Sequence, residues 1–408
     1  MAEHACSRSP WSDTSVPAHR VPRPSEPHEP PHEPPAPPHL PYRPYAEEPQ
    51  MRAAVQHETG QDKLEVLDDV EAVGFGPGKV RIRIRATGLC HSDLSAMSGV
   101  LPQPAPFVPG HEGAGEILDV GDGVTGLAPG DRVLMCWLPA CGSCPSCRRG
   151  QTHLCLAGFM SAGTPNFKRP GGDVFGFAGT GTFAEEVVVA ANCAVPVPDD
   201  VPYDIAALIG CGVTTGLGAA LNTAEVVAGS SVAVIGCGGV GISTIQGARA
   251  SGAAQIVAVD PVAARREAAL RFGATEAIAP DELGDAKQRI TAGEGFDYVF
   301  EVVGKSATAR TAYEATRRGG TLCIVGAGAM DDFFQVNMFE LFFDEKRILP
   351  SLYGGGDVVR SYERAIALWR AGRIDLENLI THRVPLAGIN DALEQMRTGT
   401  ALRTCIEL

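Results

Sequence analysis

An apolar run, Ser231-Val232-Ala233-Val234-Ile235, enters Gly236-Cys237-Gly238-Gly239-Val240-Gly241 and continues into a small-residue helical stretch from about 242 to 250. A second apolar run, 255–259, ends in Asp260, 24 positions after the first glycine. Strand, glycine turn, helix, strand and acid in this order constrain the fold more than any other feature, because together they specify a βαβ unit and a parallel sheet. The residue types have physical reasons. The first glycines permit a tight turn that brings the backbone up to a pyrophosphate at the helix N-terminus, and Gly241 lets helix and strand pack closely. Asp260 would accept hydrogen bonds from the hydroxyls of an adenosine ribose and repel a 2′-phosphate, which favours NAD over NADP. Further alternation of strand and helix at 298–303, 308–316, 321–325 and 348–353 extends the unit to a doubly wound α/β domain over 213–355.

A chain of 408 residues has room for two or three domains, and residues 51–212 read differently, as strands and turns. Residues 80–86, Val-Arg-Ile-Arg-Ile-Arg-Ala, alternate with period two, the pattern of a strand with one wet face. That strand delivers the chain to Cys90-His91-Ser92-Asp93. A thiolate, an imidazole, a hydroxyl and a carboxylate in one turn can supply a metal ligand, an anion contact, a proton carrier and an orienter for another ligand. Standing alone they would read as a buried cysteine with capping residues at a helix start. His111, spaced behind Cys90 and beside Glu112 in Pro109-Gly110-His111-Glu112-Gly113-Ala114-Gly115, shifts the reading toward a metal site.

Cys141, Cys144, Cys147 and Cys155 are spaced C-x2-C-x2-C-x7-C in a loop, 141–155, rich in Gly, Pro and Arg. Four thiolates at short intervals without hydrophobic periodicity predict a closed tetrahedral zinc site that leaves no position for water and is therefore structural. The other cysteines lie far apart, and no N-terminal apolar core of a secretion signal is evident, so metal-bound thiolates in a reducing cytoplasm are expected rather than disulfides. A net charge of −14 disfavours nucleic acid and anionic membranes as partners. The most apolar run, 205–221, contains four glycines and two threonines and reads as buried interior. Residues 1–50 carry fourteen prolines and five of the ten histidines, the composition of a disordered tail, and Met51 reads as an alternative or true start.

These residues resemble the zinc-dependent alcohol dehydrogenases of the medium-chain dehydrogenase/reductase family, and the resemblance covers residues 51–408. Gly110, His111, Glu112, Gly115, Gly121 and Val124 fit the family's zinc signature, and the four-cysteine loop and the 236–241 turn fall in family order. The resemblance implies a Rossmann-type domain over 213–355 and a mostly-β GroES-like catalytic domain over 51–212, to which 356–408 returns. It implies a catalytic zinc held by Cys90, His111 and a third cysteine, and a structural zinc held by Cys141, Cys144, Cys147 and Cys155. Spacing alone leaves Cys193, Cys211 and Cys237 open as the third ligand; the resemblance selects Cys211.

It further implies that Ser92 relays the substrate proton, that Asp93 fixes the far ring nitrogen of His111, and that Glu112 lies behind the metal. His91 stands where many members place an arginine against the cofactor pyrophosphate, so the grip on NADH is expected to vary with pH near neutrality. Arg403 matches the family's C-terminal pyrophosphate contact, and Thr215 and Val240 the residues that back the nicotinamide. Ser95 replaces a histidine that ends the proton relay in well-studied members, leaving that step to water. Trp137 falls where the family places a pocket-lining aromatic, and on its own reads equally as a core tryptophan.

The implied activity is the NAD-linked interconversion of primary aliphatic or aromatic alcohols and aldehydes. Two variants keep the fold: a thiol-adduct formaldehyde dehydrogenase, and an enzyme whose tightly held nicotinamide is recycled by an external acceptor. A catalytically silent, quinone-sensing relative is the third reading, and candidates for all seven zinc ligands argue against it. The family's dimers and tetramers imply a homo-oligomer, with 331–343 reading equally as a contact surface or as ordinary core.

Overall fold

The alternation at 80–86 becomes strand Lys79–Leu89, which lies at the centre of a seven-stranded sheet. The computed structural model describes residues 50–160, 163–399 and 401–408, so the expectation for the tail falls on residues 1–49, outside the described residues. Along the sheet the order is Ala194–Pro196, Arg132–Met135, Glu112–Val120, Lys79–Leu89, Arg403–Glu407 and Ile380–Pro385, and Glu186–Ala190 also pairs with Lys79–Leu89. Register converts distance in sequence into proximity here. Gly88 lies opposite Glu112, and Leu89 lies opposite Thr404. Cys90, His111 and Arg403 therefore emerge from the same end of three adjacent strands.

A five-stranded sheet packs with it, in the order Met51–Val55, Glu65–Ala72, Phe167–Arg169, Gly172–Gly176 and Phe107–Val108. Their shared core holds Ile82, Ile84, Phe107, Phe167 and Phe183, each 1% exposed or less. Alternating apolar residues of the two sheets bury this interior.

The second half forms a six-stranded sheet, all parallel, in the order Glu276–Ile278, Gln255–Val259, Ser231–Ile235, Phe296–Glu301, Thr316–Ile324 and Arg347–Pro350. The strand order reverses direction at Ser231–Ile235, which is where open parallel sheets form a ligand crevice. There the chain turns through Gly236, at φ +95°, into helix Gly239–Ala250.

The apolar helical segment Tyr203–Thr223 joins the two halves. It is long and apolar enough to cross a membrane, but 83% of its apolar window is buried inside the protein. Two π-helical turns, Ile209–Val213 and Ala219–Thr223, interrupt it. Its glycines permit close packing: a Cβ on Gly216 would strike the Val240 carbonyl and Ser243, so this segment presses directly on the glycine-turn helix.

A Cβ on Gly241 would drive into the Gly236 carbonyl, a backbone atom that cannot rotate away. Gly241→Ala is therefore expected to destabilise the protein by about 1–3 kcal/mol, the usual cost of overpacking, measured from the midpoint of urea unfolding. An unchanged midpoint would mean that the turn relaxes freely.

Candidate active site

Cys90 is the N-cap of helix His91–Ser98, and Asp93 is its third residue, so the Cys-His-Ser-Asp spacing is that of a capping box. Asp93 Oδ2 accepts the Cys90 N–H at 2.9 Å, while Oδ1 accepts the Gly110 N–H at 3.0 Å and lies 3.1 Å from His111 Nδ1. A carboxylate that only accepts fixes Nδ1 as the protonated nitrogen and turns Nε2 toward the sulfurs. Asp93 is fully buried. One carboxylate thus sets the positions of two candidate ligands.

Cys211 comes from the π-helical turn Ile209–Val213. One ligand atom from each of Cys90, His111, Glu112 and Cys211 lies within 4.8 Å of the others, and all four residues are buried. The carboxylate of Glu112 accepts the Gly212 N–H at 3.0 Å and pairs with the buried Arg403 guanidinium. Breaking such a buried pair strands a charge and costs about 3–5 kcal/mol. The pair therefore anchors the floor of the site.

The protons in this cluster are shared. A hydrogen bond with Cys211 lowers the Cys90 thiol well below its ordinary value, and the same bond raises Cys211 well above it. Burial opposes a charge on His111, but the Asp93 carboxylate and the Cys90 sulfur outweigh it and raise the ring to about 10. The ligand atoms of Cys90, His111 and Cys211 are close enough to share one divalent cation, whose binding would displace protons from the cluster. Two sulfurs and an imidazole are a donor set suited to zinc, with a position left for a further ligand.

The four-cysteine lobe fits a second ion. Its sulfurs lie within 4.8 Å of one another, and no disulfide joins cysteines among the described residues. Backbone N–H groups already point at them: Cys141 Sγ accepts from Cys144 N at 3.3 Å, Cys144 Sγ from Cys147 N at 3.5 Å, and Cys155 Sγ from Cys141 N at 3.3 Å. Hydrogen bonds from Ser143 lower Cys141 to about 6, and desolvation raises Cys147 to about 12. His153 Nδ1, 2.8 Å from the Gly356 carbonyl, and the Thr152 hydroxyl, 2.9 Å from the Val358 N–H, tie the lobe to the body.

Ser92, half-buried, lies with its hydroxyl 3.7 Å from Cys90 Sγ. His91 follows on the same turn, exposed along one edge while its neighbours partly desolvate the ring. Desolvation lowers its pKa, Cys90 and Asp93 partly oppose this, and the charges of Arg265 and Arg403 add to the lowering. Gly236, Gly238, Gly239 and Val240 are half-buried along the turn, and Thr215 is half-buried on the facing helix. The aliphatic part of Arg403 occupies the space that a Cβ on Gly239 would need. Asp260 has a role the sequence did not indicate: its carboxylate accepts the Cys237 N–H at 2.8 Å and the Val262 N–H at 2.9 Å, so it holds the glycine turn in shape.

Trp137 stacks on Tyr353 with ring centroids 4.4 Å apart, and meets His111 edge-on at 6.3 Å and Phe159 at 6.4 Å. Phe177 meets the other side of His111 at 5.2 Å. Sequence reasoning missed Phe177, Phe159 and Tyr353, since no local spacing links them to His111.

Residues 76–199 match the alcohol dehydrogenase GroES-like domain family, and residues 239–370 match the zinc-binding dehydrogenase family. The chain is similar to the class-3 alcohol dehydrogenase of Drosophila melanogaster, with 37% identity over 84% of this chain and 94% of the relative. It is equally similar to the NDMA-dependent alcohol dehydrogenase of Amycolatopsis methanolica, with 37% identity over 87% of this chain and 98% of the relative. Among solved structures it is similar to the benzyl alcohol dehydrogenase of Acinetobacter calcoaceticus, with TM-score 0.81 and 30% identity over 88% of this chain and 99% of that one. With both halves matched and the relatives spanned nearly end to end, the chain belongs to the zinc-dependent alcohol dehydrogenases of the medium-chain dehydrogenase/reductase family.

Proposed function

We propose that this alcohol dehydrogenase is zinc- and NAD-dependent and oxidises primary alcohols, aromatic ones included, to aldehydes. The convergence of Cys90, His111 and Cys211, buried and mutually within 4.8 Å, carries the proposal. These three would hold a catalytic zinc, and Cys141, Cys144, Cys147 and Cys155 a structural one. When bound, zinc acidifies an alcohol hydroxyl and the nicotinamide accepts hydride from the alcohol carbon.

The chain's own residues do the rest. Asp93 keeps His111 in one tautomer and one orientation. Ser92, half-buried with its hydroxyl 3.7 Å from Cys90 Sγ, would pass the hydroxyl proton outward, with His91 beside it on the turn. The glycine turn at 236–241 offers backbone N–H groups and a helix N-terminus to a diphosphate, and Arg403 adds positive charge next to Gly239. Trp137 and Phe177 meet His111, and Phe159 extends the aromatic wall from Trp137, which suits a flat primary alcohol and crowds a bulky secondary one. One observation favours a second reading, in which the nicotinamide stays bound and an external acceptor recycles it: the NDMA-dependent relative is as similar as the class-3 enzyme.

The final strands suggest the assembly. Met330, Phe333, Met338, Phe339 and Phe342 are between 70 and 81% exposed, beside Arg347–Pro350, the edge strand of the parallel sheet. A two-fold contact joins the same patch of both copies, and an exposed apolar surface beside an edge strand suits that arrangement, so we assign it to a second copy of this chain.

Cys90→Ala is expected to abolish alcohol oxidation and to lower the zinc content by one ion per chain while the four-cysteine ion stays. Near wild-type turnover after that loss would overturn the assignment. Asp260→Ala is expected to lower kcat/KM with both cofactors, because the Cys237 N–H loses its acceptor, and to raise the NADP-to-NAD ratio by about tenfold, the scale of one charge-assisted hydrogen bond. A constant ratio would remove Asp260 from cofactor choice. Phe342→Asp is expected to shift sedimentation velocity toward a smaller species, and an unaltered profile would place the subunit contact elsewhere.

A further inference from the structure

Cys211 is gripped through the peptide groups on both of its sides. After it, the Gly212 N–H donates to Glu112. Before it, the Gly210 carbonyl accepts from the Tyr353 hydroxyl, and the Tyr362 hydroxyl lies 3.4 Å from the same oxygen and 2.6 Å from the hydroxyl of Tyr353. Both tyrosines are buried, at 2% and 1% exposure. The segment that receives these bonds is a π-helical turn, a rare geometry found frequently at functional sites.

Tyr353 is itself held unusually. Its φ is +55°, in the left-handed region that a bulky residue occupies only when its surroundings demand it. Gly354, Gly355 and Gly356 follow, also with positive φ, and Gly354 is pressed against the Thr214 carbonyl and Gly218, so that a Cβ there would collide with both. The loop is thus seated on the helical segment that carries Cys211, and the strain at Tyr353 has a compensating contact. On its other side the ring stacks on Trp137, the wall that faces His111.

We infer that Tyr353 is a positioning residue, whose hydroxyl fixes the peptide before Cys211 and whose ring fixes Trp137, so that one side chain sets both the third zinc ligand and the substrate wall. This rests on the reading that Cys90, His111 and Cys211 hold an ion. Tyr362 steadies the Tyr353 hydroxyl rather than replacing it, since its own oxygen is the more distant one. Glu112 and Tyr353 act from opposite sides. Loss of either leaves Cys211 free to tilt about the remaining anchor.

The test compares zinc release from wild type and Tyr353→Phe into a chromogenic chelator, together with the visible spectrum of the cobalt(II)-substituted proteins. The variant keeps the ring and loses only the hydroxyl. Expected are release of the Cys90, His111 and Cys211 ion about tenfold faster, as for other residues that hold a metal ligand in place, and a shifted cobalt band. The four-cysteine ion should leave at the wild-type rate, and kcat should fall while KM for an aromatic alcohol holds, because the stack on Trp137 remains. Equal release rates with an identical cobalt spectrum would overturn the inference, and so would faster release of both ions together, which signals general loosening. A wild-type protein with no ion outside the four-cysteine lobe would overturn the underlying reading instead. Should Tyr353→Phe not fold, Tyr362→Phe carries the same test with a smaller acceleration of the same ion.

Discussion

The buried carboxylate of Asp93 is the interaction on which the rest of the site depends. It accepts from the helix N-cap at Cys90, from the Gly110 backbone and from the His111 ring. A carboxylate with no exposure is tolerable only when donors surround it, and leaving it unpartnered would cost several kcal/mol. Satisfying it therefore forces the helix start and the glycine-histidine turn together, and the ligand geometry follows from that demand.

A second buried acid plays the matching part from below. Glu112 joins the Gly212 N–H to Arg403, residues drawn from the linking helix and from the last strand of the chain. The three strand ends that carry Cys90, Glu112 and Arg403 are neighbours because of register, and a shift of one residue would point each of these side chains to the opposite face of the sheet. Fold and site are thus specified by the same pairing.

How much of this was legible in the sequence depended on distance along the chain. The four-cysteine loop and the 236–241 turn are local patterns, readable because backbone geometry alone brings their members together. The Cys90 turn was legible as a cluster of a thiol, an imidazole, a hydroxyl and a carboxylate, and the structure adds that Cys90 and Asp93 form a capping box. Cys211 had no local pattern and was chosen over Cys193 and Cys237 only through family resemblance; in the structure Cys237 is buried in the glycine turn, where desolvation pushes its thiol to about 12. Tyr353, Phe177 and the pairing of Glu112 with Arg403 link residues separated by dozens to hundreds of positions, and single residues of common type carry no spacing signal. The one local signal for this loop is Leu352-Tyr353-Gly354-Gly355-Gly356, a bulky residue leading into three glycines, which marks backbone under constraint.

The linking helix has a consequence for the energetics of the whole molecule. Cys211 stands on a segment pressed against the helix of the glycine turn, whereas Cys90 and His111 stand on the β-sheet half. The three-residue cluster thus draws its members from both halves, with Cys211 alone coming from the linking helix. The contact between Gly216 and the Val240 carbonyl is therefore where the residue types of the glycine turn and of the Cys211 segment constrain one another.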